Sequence, residues 1–229
     1  MYSSETEAPK VTARGLTLVE LVLVIVITGI VSTMTPTLFF HGVKAMVFLP
    51  RALAANHVAQ EALQQMVEGG FSTLQAGPVR GLRFAVRWPP LGVTGSTPAL
   101  WLTEANRIGF LASDGRYVLL RLDTTNNVIK RSWPPTTTTC FTVNAVLPSL
   151  TEERLPYEIG QLGAMVQIVA ASGLFVYHYQ DGSVAPQNCP PDALIRRVDV
   201  TFTAQTGSGN FDQGDAREEM TSTVAVRVP

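Results

Sequence analysis

Charge is scarce in this chain. Only 15% of its 229 residues are Asp, Glu, Lys or Arg, against about 25% in ordinary soluble proteins. The formal net charge of -1 excludes the strongly basic stripe of a dedicated nucleic-acid binder. Cysteine and histidine are rare too, at 2 and 3 residues, too few for most metal cages or redox clusters. No H-E-x-x-H, Walker loop or dinucleotide fingerprint occurs. Gly207-Ser208-Gly209 followed by Gly214 has the wrong spacing for a nucleotide turn. No Ser-His-Asp or Cys-His assignment stands, so His41, His57 and His178 read as ordinary histidines and the chain as a non-enzyme without cofactor. Disordered chains lack aliphatics; here 46% of residues are hydrophobic. No internal repeat is found.

The apolar residues are unevenly spread. Residues 1–15 are polar, and then Leu16 to Phe40 holds 25 residues in which Glu20 is the only charge. A helix of that length measures about 37 Å, enough to cross a hydrocarbon core about 30 Å thick. It has no polar face, so it is not a surface helix of a soluble domain. A secretory signal has a shorter apolar core and a small-residue cleavage site after it. Here the residues that follow are Thr35-Pro36-Thr37-Leu38-Phe39. The only small residue beside a basic one is Gly15, ahead of the run, and cleavage there leaves the apolar helix attached. Lys10 and Arg14 flank the run on its N-terminal side, so residues 41 onward face outward by the positive-inside rule.

Arg14-Gly15-Leu16-Thr17-Leu18-Val19-Glu20 resembles the junction of type IV prepilins and type II secretion pseudopilins. The likeness covers residues 14–40 at motif strength. It implies cleavage by a prepilin peptidase after Gly15 and methylation of the new amine on Leu16, where the family usually has phenylalanine. It also makes Glu20 the fifth mature residue, pairing with the N-terminal amine of a neighbouring subunit. The partners implied are prepilin peptidase, other pilin or pseudopilin subunits and an inner-membrane assembly platform, in a pilus, secretion or DNA-uptake machine; no nucleic-acid partner is expected. The location implied is a single pass through the inner membrane with an extracytoplasmic C-terminal head, then the pilus or pseudopilus. The alternative is a membrane-anchored extracytoplasmic binding module or enzyme whose anchor mimics a pilin start.

The rest of the chain fits an α+β, pilin-like architecture: a leader over 1–15, a long helix over 16–69 (transmembrane over 16–40) and a β-rich head over 70–229. Apolar residues recur at helical spacing from Phe39 through Val43, Met46, Val47, Leu53, Ala54, Val58 and Leu63 to Met66. Pro50 interrupts or bends this helix, and Gly69-Gly70 stops it. Beyond it, alternation predicts strands over 82–88, 108–111, 117–122, 128–133, 174–179, 195–204 and 223–228. Turns are expected at Asp114-Gly115, Asn126-Asn127 and Asp181-Gly182. These strands read as one antiparallel sheet with a single buried face, covered by the helix. Segments 89–98, 134–139, 148–156, 187–192 and 207–217 read as loops.

Cys140 and Cys189 are an even pair in an oxidising compartment, most simply a disulfide, with two buried thiols as the alternative. Asp212, Asp215, Glu218 and Glu219 are the one weak calcium candidate, since calcium takes six to eight oxygens; their spacing matches no calcium motif, and a solvated loop is the simpler reading. Arg80, Arg83, Arg87, Arg196 and Arg197 read as a solvated face.

Overall fold

A computed structural model describes residues 17–72, 74–75, 77–86, 100–134, 151–156, 165–186, 195–207 and 215–225. The chain divides into two units, Met1–Met46 and Val47–Pro229.

One helix, α1 (Leu18–Val67), runs without interruption through Pro36 and Pro50. Each proline removes a backbone donor, yet neither ends the helix. In the first unit every described residue of α1 is exposed. Three hydroxyls there turn back on the helix: Thr33, Thr35 and Thr37 donate to the carbonyls of Ile30, Val31 and Thr33 at 2.9, 2.7 and 3.0 Å. Back-bonding of this kind spares these three hydroxyls the need for water.

In the second unit α1 buries Ala55, Val58, Ala59, Ala62 and Met66. These recur at three- and four-residue spacing, and the alanines let neighbouring side chains approach the helix backbone. The buried stripe therefore departs from the expected one. Val58 and Met66 belong to it, but Val47 and Leu53 stay exposed. The helix ends as expected. The Glu68 amide donates to the Gln64 carbonyl at 2.7 Å, and Gly69 takes φ +92°, the left-handed conformation that favours glycine past a helix end. Gly69–Gly70 (β1) then pairs with Val79–Arg80 (β2).

Two larger antiparallel sheets follow in place of the single sheet expected. The first has the order β3 (Leu100–Thr103), β4 (Arg107–Leu111), β5 (Tyr117–Asp123), β6 (Val128–Ser132) and β7 (Glu152–Leu155). The hairpin at Asp114-Gly115 and the turn at Asn126-Asn127 fall where the sequence places them. In the second, β10 (Arg197–Thr206) pairs with β11 (Arg217–Ala225) on one side and with β8 (Val166–Val169) and β9 (Phe175–His178) on the other. On β10 the residues Val198, Val200, Phe202, Ala204 and Thr206 are buried, alternating with half-buried polar ones. A single apolar cluster joins Val198, Val200, Phe202 and Ala204 to Ile108, Phe110, Val118, Leu120 and Ile129 of the first sheet and to Val58, Ala62 and Met66 of the helix.

Three expectations are corrected. Residues 82–84 form a 3-10 turn, not a strand, so Leu82 and Ala85 share the buried side. Arg87 and Trp88, the end of that expected strand, lie outside the described residues, as do Val226 and Val228. Glu152–Leu155, expected in a loop, is strand β7. β11 begins at Arg217, six residues before the expected start.

Tight backbone contact holds the helix exit. A Cβ at Gly81 would collide with the Gly69 amide nitrogen and lie 2.5 Å from the Val67 carbonyl oxygen. The two sheets are also tied together. The buried Tyr177 hydroxyl lies 2.9 Å from the Glu104 carbonyl and 3.1 Å from that of Arg107, on the turn between β3 and β4. Burial raises its pKa well above the usual tyrosine value, which keeps the hydroxyl a donor.

Candidate functional site

Of the residues singled out at the start of the apolar run, Glu20 stands in the first turn of α1. Thr17 is its N-cap, and Glu20 stands three residues on. The Thr17 amide and hydroxyl each donate to Glu20 Oε2 at 2.9 Å, and the Glu20 amide donates to Thr17 Oγ1 at 3.4 Å. This reciprocal arrangement is a capping box, which satisfies two backbone donors that a helix start leaves free. The carboxylate also sits at the positive end of the helix dipole. The capping role was not drawn from the sequence, although T-x-x-E before an apolar run is its signature. Gly15 and Leu16 lie outside the described residues. Among the described residues α1 is the one helix long and apolar enough to cross a membrane.

The remaining candidate residues do not form one site. Cys140, Cys189 and Asp212 lie outside the described residues. The Asp215 carboxylate is engaged by Arg51 Nη1 at 3.0 Å. Glu218 and Glu219 are successive residues of β11 and so point to opposite faces of the sheet. Among the described residues no three metal-ligating side chains come together. The arginines are scattered as well: Arg80 stacks on Phe84 at 4.9 Å, Arg83 pairs with Glu68 at 2.6 Å, and Arg197 Nε lies 3.3 Å from Asp199.

His41 and His57 are exposed on α1. His178 is nearly buried, with Nε2 at 2.8 Å from Asp199 Oδ2 and Nδ1 at 3.2 Å from the Gly182 carbonyl. Thr223 Oγ1 donates to the other oxygen of Asp199 at 2.8 Å. The carboxylate therefore stands between hydroxyl and imidazole. Activating a hydroxyl nucleophile needs the imidazole in the middle.

Two charge clusters on the first sheet were not found from the sequence. On the face that meets the core, Arg131 Nε donates to Glu153 Oε1 at 2.6 Å, with Nη2 on the same oxygen. Arg131 Nη2 also donates to the Phe71 carbonyl at 2.9 Å, and Ser72 Oγ donates to Glu153 Oε2 at 2.7 Å. The Trp133 ring lies 5.5 Å from the guanidinium. Burial lowers the Arg131 pKa, yet guanidinium stays charged in proteins. The cluster fastens the chain leaving α1 to the sheet.

The opposite face carries Arg121, held by both oxygens of Glu152 at 2.6 Å, and Lys130, 2.7 Å from Asp123 and 3.4 Å from Glu152. The Lys130 hydrogen bond, helped by Asn126, holds Asp123 far below the usual carboxylate range. Arg121 lowers Glu152 in the same way. These groups neutralise one another across three strands. Pro148, Ser149, Thr151 and Pro156 make the segment read as a loop, while the acids of β7 find their partners only on β5 and β6.

Comparison of the chain with protein-family models, curated proteins and solved structures gave no match.

Proposed function

We propose that the chain is a minor pilin or minor pseudopilin: a structural subunit held in the inner membrane by α1, processed after Gly15 and built into a fibre. The observation that carries this reading is the combination at the start of α1. Gly15-Leu16-Thr17-Leu18-Val19-Glu20 leads directly into a 50-residue helix that exposes its apolar N-terminal part and contributes its C-terminal part to the core of an antiparallel β head. The work is mechanical. The apolar helix stores the subunit in the bilayer and then joins a helical bundle, while Glu20 sets the register with a neighbour's N-terminal amine. A carboxylate inside a bilayer costs on the order of 2.5 to 3.5 kcal/mol at the centre, so its placement at the helix start limits that cost. The large head fits a minor subunit that initiates, caps or decorates the fibre.

Glu20→Ala tests the register role, with Thr17→Ala as control, because both break the capping box but only the first removes the carboxylate. The reading predicts that Glu20→Ala loses incorporation into the fibre while Thr17→Ala keeps most of it, both heads remaining folded. Equal incorporation of the two variants would sink the register role.

A further inference from the structure

The two ends of the apolar part of α1 are dressed differently. Glu20 and Thr17 mark one end. Twenty residues on, or about 30 Å along a helix, the exposed rings of Phe39 and Phe40 meet edge to face with centroids 6.5 Å apart. That distance equals the thickness of a bilayer's hydrocarbon core, about 30 Å. Lys44 follows, exposed, one helical turn beyond Phe40. No Asp or Glu occurs from residue 21 to residue 60. The next cation, Arg51, is taken by Asp215; Lys44 is the unpaired one of this stretch among the described residues. The rings that collect at membrane–water boundaries are those of Trp and Tyr, which carry a polar group; phenylalanine stays on the hydrocarbon side, and a lysine one turn beyond it reaches along apolar surface to place its ammonium in the headgroups.

We propose that Lys44, one turn beyond the apolar rings of Phe39 and Phe40, fixes the depth of α1 in the bilayer, with its Nζ binding the phosphate of an anionic phospholipid. The inference rests on the reading of α1 as a membrane span. It assigns a lipid contact to the outward end of that span and makes the depth of the helix depend on residues outside the cleavage motif.

The test uses the full chain in phosphatidylcholine vesicles doped with spin-labelled phosphatidylglycerol or phosphatidylcholine. Electron spin resonance gives the ratio of the two lipids at the protein surface. A lysine near an anionic membrane surface accounts for about a fivefold preference. Lys44→Gln is therefore expected to lower the phosphatidylglycerol preference, by about fivefold at the Lys44 contact and by less in the average over all lipids at the protein surface. An unchanged ratio overturns the proposal. Inorganic phosphate added at constant ionic strength is expected to leave the preference intact; competition by it would reassign Lys44 to a soluble anion and also overturn the lipid assignment. Alkaline carbonate extraction separates the two levels of argument. Release of the wild-type chain from the vesicles refutes the span itself, whereas a retained chain with no Lys44 effect refutes only the lipid contact.

Discussion

Arg131 and Glu153 offer the sharpest test of how the head is held. Their side chains are 1% and 4% exposed, so replacing Arg131 by Met leaves a carboxylate in the core without its counter-charge. Breaking a buried pair from one side costs about 3–5 kcal/mol. The variant also frees the Phe71 carbonyl, worth about 1 kcal/mol more. For a unit of this size each kcal/mol lowers Tm by about 2–4 °C, so the expected fall is on the order of 10 °C. Thermal unfolding of the full chain in detergent, followed by near-ultraviolet circular dichroism, reads it. Replacing both partners, Arg131→Met with Glu153→Leu, removes the buried charges together and is expected to be milder than either single change. The hydrogen bonds to Phe71 and Ser72 and the contact of the guanidinium with the Trp133 ring are then lost. A cost below about 1 kcal/mol for Arg131→Met, or a double variant as damaging as the sum of the singles, would refute the idea that this pair fastens the helix exit.

Two further predictions concern the same unit. Gly81→Ala forces a methyl into the backbone of Gly69 and Val67, and relief requires moving the end of α1; a loss of at least about 2 kcal/mol is expected, and wild-type denaturant stability would contradict the close approach. The acid limb of stability should come from Asp123 and Glu152. Both have folded pKa values below their unfolded ones, so their contribution is complete above about pH 4.5 and is lost as pH falls through the depressed values. Asp123→Asn is expected to flatten the decline of Tm below pH 4.5, and an unaltered slope would assign the acid sensitivity to other carboxylates.

Much of this fold is legible in the sequence, for identifiable reasons. β10 alternates because one face meets the core and the other faces out. The hairpin at Asp114-Gly115 is marked by its turn residues, and α1 by the long run that admits no polar face. The failures are equally physical. Leu82 to Trp88 alternates as a strand does, but the close passage of Gly81 against Val67 and Gly69 precedes a turn in which every third residue is buried. The stripe of α1 was placed on its large side chains, yet the buried face is built on Ala55, Ala59 and Ala62. β3 and β8 are four residues each, too short to show a period. The division into two sheets is set by long-range pairing that no local pattern encodes. At the helix start, the T-x-x-E signature of Thr17 and Glu20 is readable in the sequence, whereas the prepilin resemblance points to Glu20 and not to its cap.

We propose that a prepilin peptidase cleaves this chain after Gly15. Intact mass and N-terminal peptide sequencing of the protein from cells expressing a prepilin peptidase test it directly. The expected mature chain begins at N-methylated Leu16. A chain that keeps residues 1–15, or one cut beyond the apolar part of α1, would contradict it.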